Sequence, residues 1–331
     1  MEKAEFEKIR REAAEQSKNR TRLIICGIIV ILVLAVIVAI IASASRPRFG
    51  RTGAMLPFMF TFSFAVFFIV AFAVLVTLFH PAKKSMAKYQ AAYKQYFVKK
   101  SLEKIFTDLA YQPEAGLPRF VVQTVMTGGD RYHSNDYVTG TYNKIRFTGA
   151  DVHTEREHRH TDSDGHTTTT YTTIFKGRFL IFDFNRDFSF RLQLAGKNFI
   201  GGRLPKFVGE KKKFERMETE STEFNKHFTI YAQDGFEMFY ILDPSFIEKL
   251  QSIAETYKDR VLFSFMDKKL IVALNDNGDS FEPPHPDKLV SEADEIKRIN
   301  GDINEIIQFV DKLTLNRYAF ERKAWKSTRG T

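Results

Sequence analysis

The sequence predicts an α+β protein: two N-terminal transmembrane helices, then a mainly antiparallel β soluble domain with flanking helices. Three observations carry this reading. Two long stretches near the N-terminus contain no charged residue, basic residues crowd their flanks, and the chain beyond them turns to period-two, aromatic-rich patterning. Of 331 residues, 33 are Phe, and about three quarters of the chain lies beyond the apolar stretches. That length buries a substantial core.

The first apolar stretch predicts a span over 23–45. No charge falls between Arg22 and Arg46, and fifteen of the nineteen residues from Leu23 to Ile41 are Leu, Ile or Val. A run of ~20 such residues matches a ~30 Å hydrocarbon core, and a soluble helix is rarely apolar on every face for so long. The second span is expected over 57–79, opening at Pro57, whose missing N–H costs little in a first helical turn. Its alternating Phe58, Phe60, Phe62 and Phe64 resemble a strand locally, but backbone satisfaction in lipid favours a helix. Neither span contains Asp, Glu, Lys or Arg, so the pair is expected to anchor rather than transport.

Orientation follows from the flanks. The basic arm 1–22 holds seven Lys and Arg, the short external turn 46–56 holds three, and seven Lys follow between Lys83 and Lys104. Both termini are therefore expected in the cytoplasm of a multi-pass plasma or inner membrane protein. Ala42-Ser43-Ala44 resembles a signal-peptidase site, but the apolar run exceeds the 7–15 residues of a signal peptide. The single cysteine, Cys26, lies inside the first span; it excludes an intramolecular disulfide and is a candidate for S-acylation.

The net charge of +9 does not point to nucleic acid. Residues 105–316 hold 27 basic and 33 acidic side chains, so the excess sits around the apolar stretches and in the basic tail 317–331. A nucleic-acid-binding domain would carry it on its own surface. The tail, with Trp325, either touches anionic lipid or frays.

A juxtamembrane amphipathic helix is expected over 83–110. Tyr89, Tyr93, Tyr96 and Phe97 recur at helical spacing opposite a basic face of Lys83, Lys84, Lys88, Lys94, Lys99 and Lys100. Those lysines are the candidate membrane-surface residues; the aromatic stripe either lies toward headgroups or packs on the domain below. The α+β domain then occupies 111–316. Strands are expected from Arg119 onward, clearest at Tyr142–Phe147, 169–185, 188–194, His227–Ala232 and Glu237–Leu242. Residues 195–220 are expected to form a loop. Asp243 should cap a helix over 244–257, strands 261–266 and 270–274 should meet at an Asp267-Lys268-Lys269 turn, and a final helix or helix pair should cover 286–315.

From Tyr89 to Leu315 the chain resembles the DUF3137 domain family, bacterial membrane proteins of unassigned function. The resemblance rests on Tyr93-Lys94, Leu109-Ala-Tyr-Gln-Pro, Phe175-Lys-Gly-Arg-Phe-Leu-Ile-Phe-Asp-Phe-Asn, Glu223-Phe224, Phe228-Thr-Ile-Tyr, Tyr240-Ile-Leu-Asp-Pro and Phe263-Ser-Phe-Met-Asp-Lys-Lys-Leu. It implies two membrane spans and a cytoplasmic α+β domain, with no catalytic residue to carry over.

Candidate chemistry is sparse. His153, His158, His160 and His166 lie among Glu155, Glu157, Asp162 and Asp164, a mixture that suits zinc or nickel. The spacing is not a recognised ligand pattern, and Asp164-Gly165 describes a hairpin tip, so His158, His160 and His166 are weak metal candidates. Asn275–Asp279 lacks the calcium-loop frame. No phosphate-binding loop, G-x-S-x-G or H-E-x-x-H is present, and no cofactor is expected. The leading expectation is a membrane-anchored cytoplasmic binding module engaging a partner protein or the lipid bilayer. The alternative is an enzyme at the inner membrane surface using Asp183, Asp187 and His227.

Overall fold

The computed structural model describes residues 1–44, 84–126, 128–200, 214–289 and 291–313. The second expected span, the external turn, Lys83 and the basic tail lie outside them. The chain divides into two compact units, 1–96 with 283–290, and 97–282 with 291–331.

In the first unit, α1 (Lys3–Ala44) is one helix of 42 residues, so the expected basic arm and the expected first span share a single helical backbone. The side chains of Leu23 and of 30–44 lie outside the described residues. Among the described residues, no helix is long and apolar enough to cross a membrane. A second helix, α2 (84–93), runs into a π-helical turn at Lys94–Val98. Its aromatic stripe packs on α1: the Phe6 ring stacks on Tyr96 at 5.3 Å and lies 6.1 Å from Tyr89 and 6.4 Å from Tyr93. Phe6, Tyr89 and Tyr93 are each at most 3% exposed. The stripe is buried against α1, a partner that neither expected fate named. Segment 283–290 closes this unit: Tyr89 Oη donates to the Pro284 carbonyl at 3.1 Å, and Arg10 Nη1 to that of Pro286 at 2.9 Å.

The second unit is an α+β domain whose strand pairings are all antiparallel, as the patterning predicts. After α3 (Lys99–Glu103), β1 (Thr107–Gln112), α4 (Arg119–Gln123), β2 (Arg131–Tyr142), β3 (Ile145–Thr161) and β4 (Thr167–Gly196) follow in order. Then come β5 (Glu215–Met217), α5 (Thr222–His227), β6 (Phe228–Ala232), α6 (Gly235–Ile241), α7 (Pro244–Thr256), β7 (Val261–Leu274) and α8 (Glu292–Lys312). The sheet order is β1-β2-β3-β4-β6-β5, with β7 also paired to β4. The 30-residue β4 is the spine: β3 and β7 flank its first part, and β6 and β7 its last.

Both faces of this sheet are covered. Val122, Val125 and Met126 pack with Phe175, Phe179 and Ala150 on one side. On the other, Phe309 of α8 lies 6.3 Å from Phe182 and 6.5 Å from Phe263. Two covered faces explain why Phe179–Phe182 and Val261–Phe263 are continuous apolar runs rather than alternating ones. Side-chain caps close the helix starts: Asp243 accepts from Phe246 N at 2.9 Å, and Ser291 from Asp294 N at 3.1 Å.

Local patterning misplaces several elements. The juxtamembrane helix stops at Glu103, not 110, because Thr107 onward pairs with β2. Residues Arg119–Gln123 are helical, not extended, and place Val122 in the core. The expected strand across Tyr142–Phe147 is broken by a two-residue turn, Asn143 (φ 47°) and Lys144 (φ 68°), which joins β2 to β3. Of the expected strand Glu237–Leu242, all but Leu242 belongs to α6, and Met238 and Leu242 are buried. Asp267–Lys269 makes no hairpin: both halves of β7 pair with β4, which is itself irregular between Asp183 and Phe188, so the two long strands pass through the irregularity together. A close approach holds β7 to β4 at Gly177 (φ +151°), where an added Cβ would stand 2.1 Å from the Leu274 carbonyl oxygen.

Candidate functional site

The densest polar chemistry lies beneath α8, where β3 and β4 place Asp151 directly opposite Arg178. Arg178 is 4% exposed and immediately precedes the apolar run Phe179–Phe182. Its Nε lies 3.5 Å from Asp151 Oδ1, its Nη1 3.6 Å from Glu305 Oε2, and Nη1 donates to the Asp302 carbonyl at 2.6 Å. The guanidinium carbon sits 4.9 Å from the Phe281 ring centroid. Asp302 and Glu305 stand one turn apart on α8, so a single helical face supplies both. Tyr257 Oη donates to Glu305 Oε1 at 3.1 Å and accepts from Gln308 Nε2 at 2.5 Å.

Burial governs the protonation of these groups. It pushes the Asp151 carboxyl above its ordinary value, against the pull of Arg178 and the Ser280 N–H that donates to Oδ2 at 2.5 Å. Glu305 is raised by burial in the same way, and Tyr257 by burial together with Glu305. Burial also works against the Arg178 charge, but Asp151, Glu305 and Asp302 outweigh it and hold the guanidinium protonated. At 3.5 Å the ion pair is too loose to reverse the desolvation of Asp151, which is why both partners move upward.

Next to this network, ligand atoms of Asp136, Asp151 and Asp279 lie within 4.8 Å of one another, a set of oxygens that suits a hard cation. The protein already supplies their partners. Asp136 accepts from Tyr111 Oη at 2.5 Å and Asn135 Nδ2 at 2.8 Å, Asp151 is held by Arg178 and Ser280, and Lys176 Nζ is 3.6 Å from Asp279. A divalent ion would also stand close to the Arg178 charge. The chemistry fits a staple joining β2, β3 and β4 to the loop after β7.

The residues singled out from sequence do not converge. His158 and His160 are exposed on one face of the β3–β4 ribbon, cross-strand from Thr170 and Thr168. His166 lies in the tip, where its N–H donates to Asp162 Oδ1 at 2.8 Å, and His153 Nε2 is 3.1 Å from Thr173 Oγ1. Asp162, Asp164 and Gly165 form the expected turn, with Gly165 at φ +83°. Asp183 pairs with Lys269 at 3.4 Å on the surface. His227 Nδ1 is 2.8 Å from Asp259 Oδ1, beside Gly196, thirteen residues of β4 away from Asp183. The Asp187 side chain lies outside the described residues. Among the candidate membrane-surface lysines, Lys84, Lys88 and Lys100 are exposed and Lys99 lies 4.0 Å from Glu103. Lys94 differs from expectation: at 6% exposure it is buried with the aromatic stripe and removed from any headgroup.

Sequence reasoning passed over Arg178 and its partners. The available signal was an arginine within the run Phe175-Lys-Gly-Arg-Phe-Leu-Ile-Phe, since a charge inside a buried strand needs partners supplied from elsewhere in the fold.

Residues 173–315 match the family model described as "Protein of unknown function (DUF3137)", so the resemblance holds over that stretch. Among solved structures, the chain is similar to the crystal structure of the mycobacterial trehalose monomycolate transport factor A, TtfA. Identity is 13% and the TM-score 0.34, over 67% of this chain and 95% of that chain. A likeness of that size carries no functional argument. No curated protein matches.

Proposed function

We propose, with residues 173–315 taken as the segment that matches the DUF3137 family, that the chain is a membrane-anchored binding module. Its α+β domain faces the cytoplasm and engages a partner protein or the lipid surface. The observation that carries the anchor is the outer face of α1: Ile25, Ile28 and Ile29 are 52%, 52% and 53% exposed on a helix that continues into an uncharged run. Large aliphatic side chains left open at helical spacing need an apolar medium around them. The seven, three, seven distribution of flanking basic residues supports the orientation. The binding role rests on the buried network, in which described polar groups are matched to one another and arranged as structure. Asp183 and His227, which an enzyme would bring together, stand far apart along β4.

The test is alkaline carbonate extraction of the full chain, combined with a reporter fused after Thr331. The chain should stay in the membrane pellet and the reporter should be active only inside the cell. Release into the carbonate supernatant, or an external reporter, sinks the proposal.

A further inference from the structure

We propose that the outer edge of β4 over Thr167–Thr173 is a pairing edge for a second copy of this chain. Beyond Glu155 and before Ile174, β3 and β4 pair only with each other among the described residues and form a two-stranded ribbon. The two outer edges of this ribbon differ. The β3 edge is blunted: Asp130 N donates to the Glu155 carbonyl, Asp130 Oδ2 accepts from Glu157 N at 2.7 Å, and the strand carries Arg156, Glu157 and Arg159. The β4 edge is closed only from Ile174 onward, where Asn275 Nδ2 donates to the Ile174 carbonyl at 3.3 Å and Asn277 N to that of Lys176 at 2.9 Å.

That leaves seven residues, Thr-Thr-Thr-Thr-Tyr-Thr-Thr, on an open edge without a charge, a proline or a glycine. Natural edges are guarded by lysine, proline, bulges or cover, and among the described residues none of these falls within Thr167–Thr173, the register shift of β4 lying just past it at Ile174. Six of the seven are β-branched, the side chains that best suit a strand.

Three features favour a second copy as the occupant. Two identical edges pair antiparallel about a two-fold axis, so each outward N–H and C=O meets its counterpart. Threonine then stands opposite threonine, a favourable cross-strand pair. A foreign peptide would be selected by pockets beside the edge, and Thr168, Thr170 and Thr172 are exposed with no wall around them. Charge also selects this edge. Thr167–Thr173 carries no charge, so pairing through β4 sets no like charges against each other.

The proposal stands apart from the membrane reading. The test measures the mass of the full chain in detergent by light scattering for wild type, T168K/T170K, T168E/T170E and an equimolar mixture of the two variants. Wild type should dimerise. Each charged variant should dissociate on the order of tenfold more readily or worse, and the mixture should recover the dimer through opposite charges. Recovery also shows that both variants fold. A monomeric wild type, a lysine variant that dimerises as tightly as wild type, or a mixture that stays monomeric overturns it.

Discussion

Arg178 shows how one residue sets the terms for its neighbours. Removing a partner from a buried ion pair leaves the other charge without compensation, at a cost of about 3–5 kcal/mol. Asp151→Ala should therefore destabilise the domain by about that amount in urea unfolding. Arg178→Met behaves differently, because Asp151 and Glu305 can discharge by taking up protons. Their folded-state values already lie above the ordinary 3.8 and 4.5, so the folded chain binds more protons than the unfolded one just above those values. Stability then falls as pH rises through that window. Without Arg178 the window extends upward, and the variant should lose progressively more stability than wild type between about pH 5 and pH 8. A variant whose deficit is constant with pH would show that the carboxyls do not carry the effect. The lysines around α2 illustrate the limit of residue type as a guide: Lys88 and Lys94 look alike in sequence, yet one is exposed and the other buried.

At the scale of elements, turns and irregularities decide the topology. Asn143 and Lys144 both hold positive φ, and Asn favours that region while Lys does not. Lys144→Val puts a β-branched side chain there and should destabilise the domain by about 1–2 kcal/mol, read as a lower midpoint in thermal unfolding. Lys144→Gly should cost nothing by comparison. Gly177 is the complementary case, since its conformation and the nearby Leu274 carbonyl both exclude a side chain. Gly177→Ala should destabilise by about 2–3 kcal/mol. The same elements show what local pattern conveys. Asp243 announces α7 through capping chemistry, whereas α8 starts after its Ser291 cap and not at 286, the start expected from its apolar spacing. Residues 142–147 alternate as a strand would, and only two backbone angles reveal the hairpin. In α6, aromatic residues that favour strands adopt a helix because Met238, Ile241 and Leu242 reach the core from helical spacing.

At the scale of the whole molecule, each unit is held by aromatic packing. Phe6 joins α1 to α2 in the first, and Phe309 joins α8 to the sheet and to Tyr257, stacked at 6.0 Å, in the second. Phe309→Ala should cost about 3–5 kcal/mol, since it opens a cavity where Phe182, Phe263 and Tyr257 meet. A loss below about 1 kcal/mol in urea unfolding would show that α8 is not held there. In the 42-residue α1, the open Ile25, Ile28 and Ile29 supply the basis of the membrane proposal. The exposed ribbon of β3 and β4 supplies the basis of the proposed self-pairing.

Composition and periodicity by themselves determined the α+β class of the second unit, its antiparallel pairing and the cap that starts α7. These properties are local: they depend on side-chain period, on charge position and on hydrogen bonds a few residues apart. Only the tertiary structure decided that Asp151 would face Arg178, that α8 would bring Glu305 to them, and that the tyrosines of α2 would meet Phe6. Such meetings join residues from 27 positions to more than a hundred apart, and no local pattern encodes which distant surface will cover a given face.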